Sequence, residues 1–98
     1  MKSIDIKGTD YITVNERVKE FRRLHPQGQI VTHIMANADA QVLFKAEIIV
    51  DGVSVATGHA YEKEGSSFIN KTSYIENCET SAIGRALGMY GIGIDASV

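Results

Sequence analysis

Residues 73–93 read SYIENCETSAIGRALGMYGIG, and this pattern predicts the helix around which the rest of the chain folds. Ser73 and Glu76 form a capping box, in which each side chain accepts a hydrogen bond from the backbone amide of the other residue. Gly91 ends the helix, because glycine adopts the left-handed cap conformation without steric cost. The apolar positions at helical spacing are Ile75, Cys78, Ala82, Ala86 and Met89. We therefore expect an amphipathic helix with one buried face.

Thr80, Gly84 and Gly88 follow one another at intervals of four residues and therefore lie on one face of this helix. An interior glycine costs about 1 kcal/mol relative to alanine, so two of them need a structural or functional reason. A face this small lets another backbone or a ligand approach closely. We expect close packing of the helix on a sheet, with a ligand contact as the alternative. Arg85 lies beside this face.

The composition is that of a single small globular domain over residues 1–98. Of the 98 residues, 44% are hydrophobic and 22% are charged. The net charge of −2 argues against a protein that coats nucleic acid through bulk positive charge, so any cationic surface must be local. No apolar run approaches the roughly 20 residues of a membrane helix, and the N-terminus lacks a secretory h-region. We therefore expect a cytoplasmic protein without a membrane partner.

The sequence carries none of the common signatures of catalysis or metal binding. Cys78 is the only cysteine, and the three histidines have no metal-ligand spacing. No nucleophile elbow, Walker loop or dinucleotide fingerprint is present. We therefore expect a binding protein without a cofactor or metal rather than an enzyme.

A second capping box lies near the N-terminus and predicts another helix. Thr13 and Glu16 form it, and the helix runs from about Val14 to Leu24, where Pro26 stops it. Its cations are Arg17, Lys19, Arg22 and Arg23. These charges form either a solvated face or a phosphate-contacting face, and both interpretations stay open.

Three strands joined by short turns follow this helix. Residues 29–36 and 42–50 are rich in β-branched and apolar residues, with a polar turn at 37–40 between them. Asp51-Gly52 then specifies a two-residue type I′ hairpin, so a third strand begins at Val53. A regular register across this turn pairs Phe44 with His59 and places both on the core side, where we expect a hydrogen-bonded core histidine.

On the same register, small residues lie on the opposite side of the sheet beside Lys45. These small residues are Ser54, Ala56, Gly58 and Ala60. We expect this shallow surface to be exposed to solvent, or covered by a second protein copy or an extended polymer.

Residues 63–72, KEGSSFINKT, are predicted to form a loop. Phe68 lies in this loop between Lys63 and Lys71. It either packs on its own core or stacks on a base, with the two lysines near the phosphates.

The predicted element order defines the fold class. A helix, three antiparallel strands, a loop and a helix predict an α+β domain. In it, a three-stranded or slightly larger antiparallel meander packs against an N-terminal and a C-terminal helix. A variant OB-fold is the alternative.

Residues 74–91, preceded by Gly58-His59-Ala60-Tyr61 and a serine–glycine loop, resemble the single-strand annealing family, which includes eukaryotic Rad recombinases and the phage Erf and Sak proteins. The matching positions are Glu79, Thr80, Ala82, Arg85, Ala86, Leu87, Tyr90 and Gly91. More closely, residues 68–95 are similar to the small single-stranded DNA-binding proteins of siphophages that infect lactococci. The resemblance implies a β-meander followed by a helix. It also implies a role in phage DNA replication and recombination, beside a recombinase or annealing protein.

Two departures from the annealing pattern favour a plain single-stranded DNA-binding protein over a ring-forming annealing recombinase. Annealing members commonly place a lysine directly before the arginine that Arg85 matches, and this chain has Gly84 there. The chain also stops soon after this helix.

The leading hypothesis is sequence-independent binding of single-stranded DNA by a small homo-oligomer, a dimer or larger. The predicted DNA-binding residues are Arg22, Arg23, Lys45, Tyr61, Lys63, Phe68, Lys71 and Arg85. Tyr61 and Phe68 stack on bases, and the cations meet phosphates. Strand annealing is the nearest alternative. A protein-interaction module without nucleic-acid affinity is the alternative of another class; its interface would be the small-residue face of the sheet.

Overall fold

In the computed structural model, which describes residues 2–6, 9–65 and 70–93, the described residues form five strands and two helices. Side chains are described for all of these residues except 6, 9, 10 and 70–72. The elements are β1 (Ile4–Ile6), β2 (Thr9–Tyr11), α1 (Val14–Leu24), β3 (Gln29–Ala38), β4 (Gln41–Val50), β5 (Val53–Lys63) and α2 (Asn70–Tyr90). Strands β3, β4 and β5 form an antiparallel meander, and β1 and β2 form a separate hairpin. The predicted α+β meander with two helices is confirmed.

The helix ends follow from the capping residues. Helix α1 has the predicted bounds, and its N-cap Thr13 accepts a hydrogen bond from the amide of Glu16 at 3.2 Å. Helix α2 ends at Gly91 as predicted, with φ +107° and the amide of Ile92 bonded to the carbonyl of Leu87 at 2.9 Å. This 6→1 bond is that of a Schellman cap. The start of α2 lies three residues before the predicted cap, and the helix is kinked at Ser73.

Both hairpins of the meander have tight two-residue turns. Asp51 and Gly52 have φ values of +53° and +77°, which confirms the predicted turn. Asp39 and Ala40 form the other turn, with φ values of +54° and +57°, and not the four-residue turn that we predicted. Alanine seldom adopts a positive φ, so this sequence gives no signal for a type I′ turn there.

The predicted pairing of β4 with β5 is wrong beyond Ile49. Ile49 pairs with Ser54, but Ile48 pairs with Ala56, so Val55 is the extra residue of a β-bulge. A slip of one residue moves every later side chain of β5 to the other face. His59 therefore pairs with Lys45 and is exposed; it is not a core histidine.

Three of the small residues of β5, namely Ala56, Gly58 and Ala60, form a packing surface for α2 and not an open face, so the prediction is wrong for them. Ser54 precedes the bulge and lies on the opposite face with its partner Ile49. Gly58 and Ala60 are buried, and a Cβ atom at Gly58 would lie 2.3 Å from the backbone nitrogen of Ala86. The thiol of Cys78 donates to the carbonyl of Ala60 at 3.1 Å, and burial raises its pKa. The core comprises Phe21, Val42, Phe44, Ala46, Ile48, Ala60, Cys78, Ala82, Ala86, Leu87 and Ile92. The surface predicted for a protein-interaction module is thus occupied by the chain's own helix.

The glycine face of α2 packs on α1, whereas we predicted that it packs on the sheet. A Cβ atom at Gly84 would lie 2.6 Å from Cγ2 of Val14, and one at Gly88 would lie 3.0 Å from Nη1 of Arg17. The glycines therefore allow the two helices to cross closely. Met89, predicted to be on the apolar face, is 76% exposed.

Candidate functional site

The face of the meander opposite α2 carries the largest group of predicted site residues. Side chains of β4 alternate between buried and half-exposed, and the buried ones face α2. The other set, with its cross-strand partners on β3 and β5, forms a surface that we call the open face. The open face includes His33, Leu43, Lys45, Glu47, His59, Tyr61 and Lys63.

Three predicted DNA-binding residues lie together on the open face. Lys45 pairs with His59, and Tyr61 and Lys63 follow His59 at intervals of two along β5. Residues at such intervals point to the same side of a strand, and diagonal neighbours on adjacent strands lie about 7–8 Å apart. Two amino groups and an exposed aromatic ring therefore lie within reach of one extended ligand.

A hollow of about 330 Å³ adjoins the ring of Tyr61. Its lining includes Ala36, Ala38, Leu43 and Gln41. The hydroxyl of Tyr61 donates to Oε1 of Gln41 at 2.8 Å, which orients the ring, while 56% of the residue stays exposed. The hollow is shallow and largely apolar, and its volume is at the small end of the range for ligand pockets.

The acidic residue in the middle of the open face has partners of its own. Hydrogen bonds from Ser54 and then from His33 lower the pKa of Glu47, and its Oε1 lies 3.2 Å from Nε2 of His33. These contacts join the carboxylate to both neighbouring strands, to β3 through His33 and to β5 through Ser54. Lys45 and Lys63 supply two positive charges to the same face.

Arg85 connects the helix layer to the rim of the open face. It is exposed on α2, and its Nη1 donates to the carbonyl of His59 at 2.8 Å. Among the strands that the structure describes, β5 has a neighbour on one side only, so this bond covers part of a strand edge. The predicted site residue Arg85 therefore lies next to the surface that carries Lys45, Tyr61 and Lys63.

Two other predicted site residues, Arg22 and Arg23, are not brought to this surface. Arg23 makes two bonds to Glu20, at 2.6 and 2.9 Å, and Arg22 donates to the carbonyl of Gly28 at 2.6 Å. Both belong to α1, which packs on α2. The side chain of Lys71 is not described, and Phe68 lies outside the described residues.

Arg17 was predicted to be a surface cation and is instead only 9% exposed. Its Nε donates to the carbonyl of Ile12 and its Nη1 to that of Gly84, both at 3.2 Å. An apolar residue before a helix cap normally packs on the residue five positions later, and here that residue is an arginine. An arginine at the position that normally packs on the residue before the cap was therefore the sequence signal that the guanidinium of Arg17 is buried.

The described residues contain no group of three or more side chains that could hold a metal ion. Within the same ranges, no helix is long and apolar enough to cross a membrane.

The family model described as Slr1353 N-terminal dsRNA-binding domain-like matches residues 18–90, which is well over half of the chain. The chain belongs to this dsRNA-binding domain-like family. The matched region runs from within α1 to the end of α2, so it contains the whole meander and the open face. Strands β1 and β2, and Arg17, precede it. No curated protein and no solved structure gives a significant match.

Proposed function

We propose that this protein binds nucleic acid through the open face and that its ligand is single-stranded DNA. The observation that carries the proposal is the placement of Lys45, Tyr61 and Lys63 on one face, with Arg85 at its rim. Membership of a family described by its likeness to a dsRNA-binding domain supports nucleic acid as the class of ligand.

The form of the open face supports a single strand over a duplex. Proteins that bind single strands combine cations along the backbone with aromatic rings on which bases stack. Tyr61 offers such a ring beside a hollow of about 330 Å³, which suits one base. In a duplex the base faces are stacked on one another, so Tyr61 would have no partner there.

The small number of cations on this surface predicts a weak dependence on salt. Lys45, Lys63 and Arg85 would neutralise about three phosphates, so log K should fall with log salt with a slope of roughly −2 for a single strand. A protein of net charge −2 cannot add a bulk electrostatic contribution. Stacking on Tyr61 must therefore supply much of the affinity.

The role that we assign to this binding follows the resemblance to the single-strand annealing family and to the small DNA-binding proteins of siphophages. The protein would act as a small homo-oligomer in phage DNA replication and recombination, beside a recombinase or annealing protein. Strand annealing by the chain itself is the alternative role, and faster pairing of complementary strands would support it.

Binding of double-stranded RNA is the second candidate function, and the family description is the observation that favours it. Double-stranded RNA is recognised mainly through its shape, phosphates and 2′-hydroxyls. Such binding would not need the ring of Tyr61.

The experiment compares the binding of labelled single- and double-stranded DNA and RNA of equal length. We expect tightest binding to single-stranded DNA, and we expect Tyr61→Ala to cost about 1–3 kcal/mol, or roughly 5- to 150-fold in affinity. Tyr61→Phe keeps the ring and should bind within a few-fold of the wild type. Val53→Ala is the matched control, because Val53 is equally exposed on β5 at 59% and lies away from the open face.

Two results would contradict the proposal. If no single strand binds at low salt, the open face is not a nucleic-acid site. If double-stranded RNA binds best and Tyr61→Ala has no effect, the second candidate is correct.

A further inference from the structure

A crevice between the N-terminal hairpin, α1 and α2 gathers two guanidinium groups. It has a volume of about 240 Å³ and is lined by Tyr11, Val14, Arg17, Ser81, Gly84 and Arg85. Three of these residues come before the region that the family model matches. The crevice is separate from the hollow beside Tyr61, and Arg85 lies between the two surfaces.

Arg17 brings a buried positive charge to this crevice. The ion pairs between described residues join Lys19 to Glu16, Arg23 to Glu20 and His33 to Glu47, and neither Arg17 nor Arg85 is among them. Burying a charge is costly unless an opposite charge compensates it. The two carbonyls that Arg17 contacts satisfy hydrogen bonds but supply no full negative charge. An anion in the crevice would supply it.

The remaining donors of Arg17 and its neighbours suit a phosphate group. A guanidinium has five N–H donors, and the bonds to Ile12 and Gly84 use two of them. The Cζ atom of Arg17 lies 5.9 Å from the centre of the Tyr11 ring, which limits its movement. Arginine forks match phosphate oxygens in geometry as well as in charge. The hydroxyl of Ser81 and the guanidinium of Arg85 line the same crevice.

We propose that this crevice is a phosphate-binding subsite that takes one backbone phosphate of the bound nucleic acid. The claim that the phosphate belongs to nucleic acid rests on the proposed function. The claim that the crevice binds phosphate rests on the crevice residues alone. Arg85 lines the crevice and also donates to the carbonyl of His59 at the rim of the open face. A strand that crosses the β5 edge can therefore place one phosphate in the crevice while its next bases reach Tyr61.

Inorganic phosphate is the probe for the crevice alone. We expect it to raise the melting temperature of the full chain by on the order of 5–10 °C at about tenfold above its dissociation constant. Sodium chloride at equal ionic strength is the reference and should have a smaller effect. A wild-type response equal to that in chloride would overturn the proposal.

Ser81→Asp places a carboxylate in the crevice, four residues before Arg85. We expect this variant to melt above the wild type without phosphate, because acid–base pairs at this spacing stabilise helices. It should also lose the response to phosphate. Thr80→Asp is the matched control, since Thr80 is the exposed neighbour on α2 and does not line the crevice. An equal phosphate response in both variants contradicts the proposal. If Ser81→Asp does not fold, Arg85→Gln should still weaken the response several-fold.

Oligonucleotide binding then tests the source of the phosphate. We expect Ser81→Asp to bind single-stranded DNA at least several-fold more weakly than Thr80→Asp does. Equal affinities would refute the claim that the phosphate in the crevice belongs to bound nucleic acid. If the wild type binds no oligonucleotide but responds to phosphate, the proposed function fails and the phosphate site stands.

A carboxylate of the chain itself is the competing partner for Arg17. Gly93 lies against Arg17, and the sequence has Asp95 two residues later. If an external phosphate, and not this carboxylate, compensates Arg17, then Asp95→Asn should keep the wild-type stability and phosphate response. A loss of stability that added phosphate restores would show that the carboxylate already fills the role, and would overturn the proposal.

Discussion

Gly58→Ala tests the contact between β5 and α2, on which the position of Arg85 depends. The new Cβ atom would lie 2.3 Å from the backbone nitrogen of Ala86 and 2.8 Å from the backbone oxygen of Ala82. Ordinary contacts of a Cβ atom lie at 3.4–4 Å. Both clashing atoms belong to the helix backbone and cannot rotate away, so α2 has to move by about 1 Å.

The expected cost follows from this displacement. Overpacking a core costs about 1–3 kcal/mol, and a backbone clash this close belongs at or above the upper end. Replacing a strand glycine recovers about 0.5–1 kcal/mol, so the net loss should be about 2 kcal/mol. For a domain of this size the melting temperature should then fall by roughly 8–16 °C, as measured by far-ultraviolet circular dichroism.

Gly88→Ala is the matched control, because it makes the same chemical change in α2. Its Cβ atom would meet only Nη1 of Arg17 at 3.0 Å, at the end of a side chain. The helix gains about 1 kcal/mol from alanine, but the bonded Nη1 of Arg17 must shift by a few tenths of an ångström, so this variant should melt close to the wild-type temperature. If Gly58→Ala is as stable as Gly88→Ala, the close approach of α2 to β5 is not what holds these layers together.

Three further predictions concern the turn and the buried thiol. Ala40→Gly removes the strain of a φ of +57° and should stabilise the protein by about 0.5 kcal/mol net in chemical unfolding, while a loss would argue against a type I′ turn. Because burial raises the pKa of Cys78, the unfolded state ionises first above about pH 8.5, so stability should fall as the pH rises past this value. Cys78→Ala should abolish that fall. A thiol reagent should modify Cys78 in the native wild type only as fast as α2 opens away from the sheet. The same reaction should be faster in Gly58→Ala. Equal rates in the two proteins would contradict the close contact between β5 and α2.

Local signals in the sequence were sufficient for most of the fold. The bounds of α1 follow from the Thr13 cap, the end of α2 follows from Gly91, and the second hairpin follows from Asp51-Gly52. Each is a short-range effect in which one side chain or one glycine decides the local backbone conformation. Such effects can be predicted because no distant residue has to be known.

Unlike the error at the Asp39-Ala40 turn, the following errors concern features that depend on distant residues. The close approach of Gly58 to Ala86, and of Gly84 to Val14, depends on which elements meet, and periodicity does not specify this. Arg17 reads as one of several cations on α1 until the carbonyl of Gly84, far along the chain, is placed beside it. The crevice could not be predicted because its lining comes from three separate elements.

The bulge at Val55 determines which residues can act together. With a regular hairpin, Tyr61 would pair with Val42 and lie beneath α2, on the side opposite Lys45. The extra residue pairs Tyr61 with Leu43 and places it on the open face with Lys45. The same shift turns Gly58 and Ala60 inward, where only small side chains leave room for the helix. Close packing of α2 and exposure of the Tyr61 ring are thus two results of one inserted residue, so a sequence change that removed the bulge would destroy the core contact and the proposed binding surface together.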